Sequence, residues 1–196
     1  RSYFIILILV FADIFICYFF IILLDKYEDF FSFSLADDIV KEYGQADLIT
    51  SHNACAHIDN LLDIVRGVQY ILDQNGLFVF EVGYLVDVYN NIWFDTIYHE
   101  HVDFHTVAPF EKLFSRIGME VIFVERISPQ GGSIRVMTQK KGGKFQRDSS
   151  VDTLINLEKK LNLDKSETFL VLDKGKPITV LTKSDVEDFV SESENL

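Results

Sequence analysis

Hydrophobic positions along this chain change their period several times, and each change marks an element. The first stretch has no period at all: from Tyr3 to Leu24, 17 of 22 residues are Leu, Ile, Val or Phe and only Asp13 is charged. A run of that length matches a helix that crosses a bilayer. On an insertion scale such apolar residues contribute roughly −5 to −10 kcal/mol against about +3 for a central Asp13, so the pattern predicts a transmembrane helix over residues 3–24. From Phe31 the pattern becomes amphipathic. Leu35, Ile39, Val40 and Tyr43 fall on one helix face, Ser32 or Ser34 can cap the start, and Gly44 ends it.

The next segments are punctuated more sharply. Ala46 to Ser51 reads as a buried parallel strand, and a helix is predicted over 59–72 with Leu61, Leu62, Val65, Val68 and Leu72 inward. Asn75-Gly76 is a turn, and Leu77 to Val82 has the apolar density of a central strand. Strand, helix and strand with short connections form a βαβ unit, hence an α/β fold with a parallel sheet. Ligands in such sheets bind beyond the carboxyl ends of the strands. That places His52, Asn53 and His57 on one rim with Glu81, Gly83 and Tyr84.

Further on, residues 87–104 read as a loop or short helix, and 106–117 as a helix with Val107, Phe110, Leu113, Phe114 and Ile117 on one side and Gly118 as its stop. Two alternating runs, 120–127 and 133–139, are joined by Pro129-Gln130-Gly131-Gly132 and read as an antiparallel pair closing the sheet. After Lys140-Lys141-Gly142-Gly143-Lys144 the composition turns polar, which reads as a boundary. A helix over 151–163 follows, then a strand, strand and helix over 168–173, 178–181 and 184–190 around Gly175. The expected organisation is an apolar segment 1–29, a main domain 30–144 and a small α/β segment 145–196.

Charge narrows the partners. Asp+Glu 30 against Lys+Arg 18 gives a formal charge of −12, which argues against a nucleic-acid backbone as ligand. Cys17 and Cys55 make neither a disulfide framework nor a CxxC pair, so a reducing compartment is the default.

The candidate chemistry is concentrated. All five histidines fall between positions 52 and 105, at 52, 57, 99, 101 and 105, and Phe94 to His101 packs a phenol, two imidazoles and two carboxylates into eight residues. Histidine exchanges protons near neutral pH. A proton-transfer site competes here with a metal site using His99, His101 and His105, and with a plain polar loop. The metal reading is the weaker chemistry, because these spacings do not put two imidazoles on one helix face as HExxH does.

In order and spacing, several short motifs match one family. They are Phe30-Phe31-Ser32 with Leu35-Ala36, Tyr43-Gly44-Gln45-Ala46-Asp47, Asn53 with Ala56-His57-Ile58, Phe80-Glu81-Val82, Tyr84-Leu85, Phe94-Asp95 with Ile97-Tyr98-His99-Glu100-His101, and Gly131-Gly132-Ser133 with Arg135. From Phe30 to about Lys140 the chain resembles S-adenosylmethionine-dependent C-methyltransferases that act on nucleotide-linked keto-deoxysugars. The resemblance implies the second half of a Rossmann-like, class I methyltransferase sheet. It also implies S-adenosylmethionine as cofactor, a nucleotide-sugar substrate, and deprotonation beside a ketone followed by enolate attack on the sulfonium methyl. It places the base at His101, with Glu100, Tyr98 and His57 as polarising or proton-relaying neighbours. Asn53 and Ala54 match positions that contact the methionine or ribose part of the cofactor. The residues agree with the chemistry: an imidazole can take a proton at neutral pH, a carboxylate can orient it, and a phenol can donate to an oxyanion.

Departures accompany the match. The family's glycine-rich loop has no counterpart, since residues 1–29 contain no glycine. Its cysteine-rich zinc module and large carboxy-terminal domain are also missing, Gln130 stands where His is usual, and Gly83 replaces Pro. Residues 169–190 instead resemble the closing strand-strand-helix of a cystathionine-β-synthase-type module, which puts Thr182 and Asp185 at nucleotide-ribose positions. The expectation is therefore a methyltransferase fragment; the alternative is a non-catalytic, membrane-anchored ligand- or partner-binding module or degenerate remnant. Location follows the same fork. It is cytoplasmic if the apolar start is a gene-prediction artefact, an idea the first residue Arg1 invites, and membrane-anchored otherwise. Arg1 ahead of the span, with Asp25, Lys26, Glu28 and Asp29 behind it, would then export the domain away from its cytosolic cofactor.

Overall fold

A computed structural model describes residues 5–9, 31–58, 60–91, 104–163, 168–173 and 176–182. Its centre is a five-stranded mixed sheet in the order β1-β2-β3-β5-β4. The strands are β1 (Ile5–Leu9), β2 (Ala46–His52), β3 (Leu72–Gly83), β4 (Met119–Ile127) and β5 (Ser133–Lys140). The first three run parallel, and β5 lies antiparallel between β3 and β4. The helices are α1 (Phe33–Tyr43), α2 (Leu61–Ile71), α3 (Leu85–Asn91), α4 (Val107–Arg116) and α5 (Ser149–Lys160). This is an α/β fold of Rossmann-like form whose parallel part ends in an antiparallel hairpin.

Local chemistry explains most boundaries. Ser32 caps α1 by accepting from the Leu35 N–H at 3.2 Å, and Gly44, at φ 82°, ends it. Asn60 caps α2 through the Asp63 N–H. The strands on either side of α2, β2 and β3, are in register from Leu48↔Leu77 to His52↔Glu81. The strand β3 starts five residues earlier than the apolar run suggests, because Leu72 pairs with Ala46 and residues 73–76 bulge from the ladder. Asn75-Gly76 is thus an excursion within a strand. The Asn75 N–H bonds the Asp73 carboxylate, and a Cβ on Gly76 would stand 2.8 Å from the Ala46 carbonyl oxygen.

The aromatic side of the sheet is covered by α4. Phe78 and Phe80 stack at 5.0 Å, Phe80 meets Phe110 edge-on at 4.9 Å, and Phe114 touches both strand rings. Side chains alternate along a strand, so Glu81 points to the opposite face from Phe80 and Val82.

Two expectations are revised. The transmembrane helix over residues 3–24 fails at its start: Ile5–Leu9 is a strand paired parallel with β2, from Ile5↔Leu48 to Leu9↔His52. An unbroken apolar run has the same appearance whether it is a helix or a buried parallel strand, and neither its length nor its apolar character tells the two apart. Among the described residues no helix is long and apolar enough to cross a membrane. The remainder of the run lies outside the described residues.

The second revision concerns the polar turn after β5. The Gln139 side chain is buried, donates to the Glu120 carboxylate and the Phe145 carbonyl at 2.9 Å each, and accepts from the Phe145 N–H at 3.0 Å, which pins residues 140–145 to the sheet. Val151, Leu154, Ile155 and Leu163 then join the same buried cluster as the sheet. The composition break after Lys144 is therefore no break in the core. Beyond it, β6 (Thr168–Asp173) and β7 (Lys176–Thr182) form a separate antiparallel pair, as the Gly175 turn predicts. The helix expected over 184–190, with Asp185, lies outside the described residues.

Candidate functional site

The carboxyl ends of β2 and β3 lie side by side and define the rim on which the site is built. His52 is the last residue of β2 and stands opposite Glu81 of β3. Asn53 then takes a left-handed conformation, φ 52°, and its N–H bonds the Glu81 carbonyl at 3.0 Å. That strained turn stops β2 at His52. A single 3-10 turn follows over Cys55–His57, where the His57 N–H bonds the Ala54 carbonyl. Ala54 is fully buried, while Asn53 and His57 are half-buried.

Across this turn packs His105. Its Nε2 lies 3.3 Å from the Cys55 carbonyl, its ring stacks on Phe110 at 4.7 Å, and its backbone bridges to Tyr84. With one nitrogen against a carbonyl in a buried site, His105 is a structural post under the rim. Among the described residues, no three His, Cys, Asp or Glu side chains converge on a point that could hold a metal. Burial pushes the Cys55 thiol up to about 12, so it is an unreactive core side chain.

The strand ends carry a row of charge that alternation alone does not reveal. His52, Glu81, Arg135 and Glu125 are direct register partners across β2, β3, β5 and β4. Arg135 donates to Glu81 from Nε at 2.8 Å and Nη2 at 2.5 Å, and to Glu125 from Nη1 at 2.7 Å. His52 Nδ1 lies 3.2 Å from the other Glu81 oxygen. Burial pushes the Glu81 carboxyl up, but the hydrogen bonds from Arg135 and His52 outweigh it and hold the group below the usual carboxylate range. The same contacts with Glu81 raise Arg135.

Beneath the rim sits a second network. The Tyr84 hydroxyl donates to Glu158 Oε1 at 2.9 Å; Glu158 is fully buried and also accepts from the Val107 N–H at 2.8 Å and the Ala108 N–H at 3.0 Å. Burial, then the Glu158 charge, pushes the Tyr84 phenol up. The guanidinium of Arg126 lies over the Tyr84 ring at 5.7 Å and pairs with Asp87. Gly132 closes on this pair: its φ is 147°, its carbonyl accepts from the Tyr84 N–H, and a Cβ there would lie 2.5 Å from that of Asp87. Gly131-Gly132-Ser133 is thus a fitted lining of the site as well as a hairpin turn.

The expected site residues divide accordingly. Asn53, Ala54 and His57 share one turn at the carboxyl rim. Tyr98, Glu100 and His101 lie outside the described residues, between α3 and His105. His52 was legible as a rim residue but without a role, and Arg135 only as part of a motif, while Glu158 was not legible as a site residue at all. Arg135 had a signal in its place after Gly131-Gly132-Ser133, and Glu158 had none.

One feature expected for the cofactor implied by the motifs, a glycine turn after the first strand, has no counterpart in the sequence that follows β1. Since β1 runs parallel to β2, the chain leaves β1 at the same rim, and a glycine turn there is what would let backbone N–H groups close on an adenosyl ligand. The residues that follow, Val10 to Asp13, all carry a Cβ, and the chain's first glycine is Gly44.

No family model matches the chain. Over 106 residues it is 35% identical to the C-methyltransferase NovU of Streptomyces niveus, a match covering 54% of this chain and 25% of that protein. The chain thus spans about a quarter of the curated relative's length. Among solved structures, magnesium protoporphyrin IX methyltransferase (ChlM) from Synechocystis with bound SAH superposes at TM-score 0.39 and 11% identity, covering 50% of this chain and 46% of that one. The YcgJ protein of Bacillus subtilis superposes at 0.39 and 15%, covering 56% and 78%.

Proposed function

We propose that this chain is the substrate-side part of an S-adenosylmethionine-dependent C-methyltransferase acting on a nucleotide-linked keto-deoxysugar. The observation that carries the reading is the 35% identity over 106 residues to a C-methyltransferase, a stretch that takes up 54% of the chain. The rim adds support, because His57 and Asn53 stand together beyond the carboxyl ends of adjacent parallel strands, where α/β sheets bind ligands.

The step assigned to this chain's own residues is proton transfer. His101 takes the proton from the carbon beside the ketone, and the electron pair of that C–H bond moves onto the ketone as an enolate. Glu100 orients the imidazole, Tyr98 donates to the enolate oxygen, and His57 relays the proton. Asn53 and Ala54 are assigned to the methyl donor's side of the rim. The sequence around β1 holds no glycine to cradle that donor.

Proton transfer can be read without the methyl donor. In D2O with the nucleotide-linked keto-deoxysugar, the chain should exchange the proton beside the ketone, seen as loss of its NMR signal. His101→Ala should end that exchange and leave sugar affinity within about twofold, as for an interaction made only in the transition state. Absence of exchange in the unsubstituted chain at saturating sugar refutes the reading. A second reading, a ligand-binding module without catalysis, is favoured by the missing glycine. It predicts binding of the sugar with no exchange, and no heat on calorimetric titration with S-adenosylmethionine.

A further inference from the structure

Four side chains stand in one row across four strands, and both of its ends, His52 and Glu125, reach solvent, His52 doing so beside the rim. Glu81 is pinned on one oxygen by two Arg135 nitrogens, and Arg135 is itself held by Glu125. The remaining Glu81 oxygen faces His52 Nδ1 at 3.2 Å. A carboxylate held by a guanidinium is an acceptor only, so Nδ1 must carry the hydrogen and donate it. The imidazole is then fixed in one tautomer, with its lone pair on Nε2. Among the described residues nothing partners Nε2, and the His52 side chain is 46% exposed where that of Glu81 is 11%. The left-handed turn at Asn53 keeps His52 at the end of its strand, beside the rim.

We propose that His52 is a substrate-binding residue whose Nε2 accepts a hydrogen bond from a sugar hydroxyl, with Glu81, Arg135 and Glu125 serving as positioning residues that set its tautomer. Naming a sugar as the ligand rests on the function proposed above. The tautomer assignment does not. A rim acceptor with a fixed lone pair suits a hydroxyl, which can donate, and rejects a deoxy position, which cannot.

Two measurements on the whole chain test this. Long-range 1H–15N correlation of the neutral imidazole should show Nδ1 protonated and Nε2 bare in the free protein. Glu81→Gln should relax that preference while far-ultraviolet circular dichroism stays unchanged. Titration with the nucleotide-linked keto-deoxysugar should then shift the Nε2 resonance, and His52→Ala should weaken binding about tenfold, the scale of one hydrogen bond, with His52→Gln recovering part of the loss through its amide oxygen. A protonated Nε2 in the free protein overturns the proposal. So does sugar binding that His52→Ala leaves unchanged, and in that case the function proposed above survives. If the unsubstituted chain binds no nucleotide sugar, both fall.

Discussion

Replacing Glu158 by alanine should unfold this protein more effectively than any change on the rim itself. The carboxylate is fully buried and receives the Tyr84 hydroxyl and the N–H groups of Val107 and Ala108 at 2.8–3.0 Å. Those two N–H groups open α4, whose N-cap residue Thr106 makes no side-chain cap and instead donates to the Leu163 carbonyl. Glu158 is therefore the cap, supplied from 50 residues along the chain. Removing it leaves three buried donors without their acceptor, at about 1–3 kcal/mol each when nothing compensates. It also removes a negative charge from a helix N-terminus, about 0.3–1 kcal/mol. Since water can enter the space left by the side chain, the sum is discounted to about 3–5 kcal/mol, near the value for removing one partner of a buried charged pair. For a domain stabilised by about 5–15 kcal/mol this is a large fraction. Glu158→Gln retains one acceptor oxygen and should cost about 1–3 kcal/mol. Urea titration followed by circular dichroism reads both, provided the slope with denaturant is unchanged. Tyr84→Phe supplies the control: with Glu158→Ala it should be non-additive by about 1 kcal/mol, because both remove one hydrogen bond. Additivity of the pair, or a loss under 1 kcal/mol for Glu158→Ala, would refute the argument that this carboxylate organises the helix.

Gly132 and Glu81 offer two further tests. Gly132→Ala places a Cβ within 2.5 Å of the Asp87 Cβ at a φ of 147°; it should cost about 2–4 kcal/mol in thermal melts, whereas Gly142→Ala, strained in φ but facing open space, should cost about 1. The Glu81 carboxyl is held below its unfolded value, so the stability it contributes is present above the ordinary glutamate range near pH 4.3 and is lost as pH falls through the lower folded value. Stability measured from pH 6 to pH 2 should therefore fall less steeply in Glu81→Gln than in the unsubstituted chain, and equal slopes would show that the row contributes nothing to the linkage.

Where local chemistry decides, the sequence was a good guide. Ser32, Gly44 and Gly118 act as the cap and stops they resemble, and the βαβ unit and the closing hairpin are legible because each strand's apolar run is bounded by a breaker. The failures have a common physical cause. Ile5–Leu9 belongs to a sheet only because β2 offers it a parallel neighbour 43 residues away, which no local pattern encodes. Glu158 reads as an ordinary polar position of an amphipathic helix until tertiary packing buries it. The charge row depends on register between four strands, and register is set by pairing and by the bulge at 73–76, not by composition. For the candidate site, the turn holding Asn53, Ala54 and His57 was legible from its place after a strand. The tautomer of His52 required the strands to be laid side by side.

The long reach of Glu158 also bears on how the protein is made. A chain emerging from the ribosome completes β3, with Tyr84 just beyond it, and the first turn of α4, long before residue 158 exists. The phenol and the leading N–H groups of α4 therefore wait, through the synthesis of about fifty residues, for the carboxylate that settles them. During that interval the ground beneath the rim is unfinished. In a nascent chain the rim would gain this support late, when α5 docks, and a chain halted before Glu158 would present the rim residues without it.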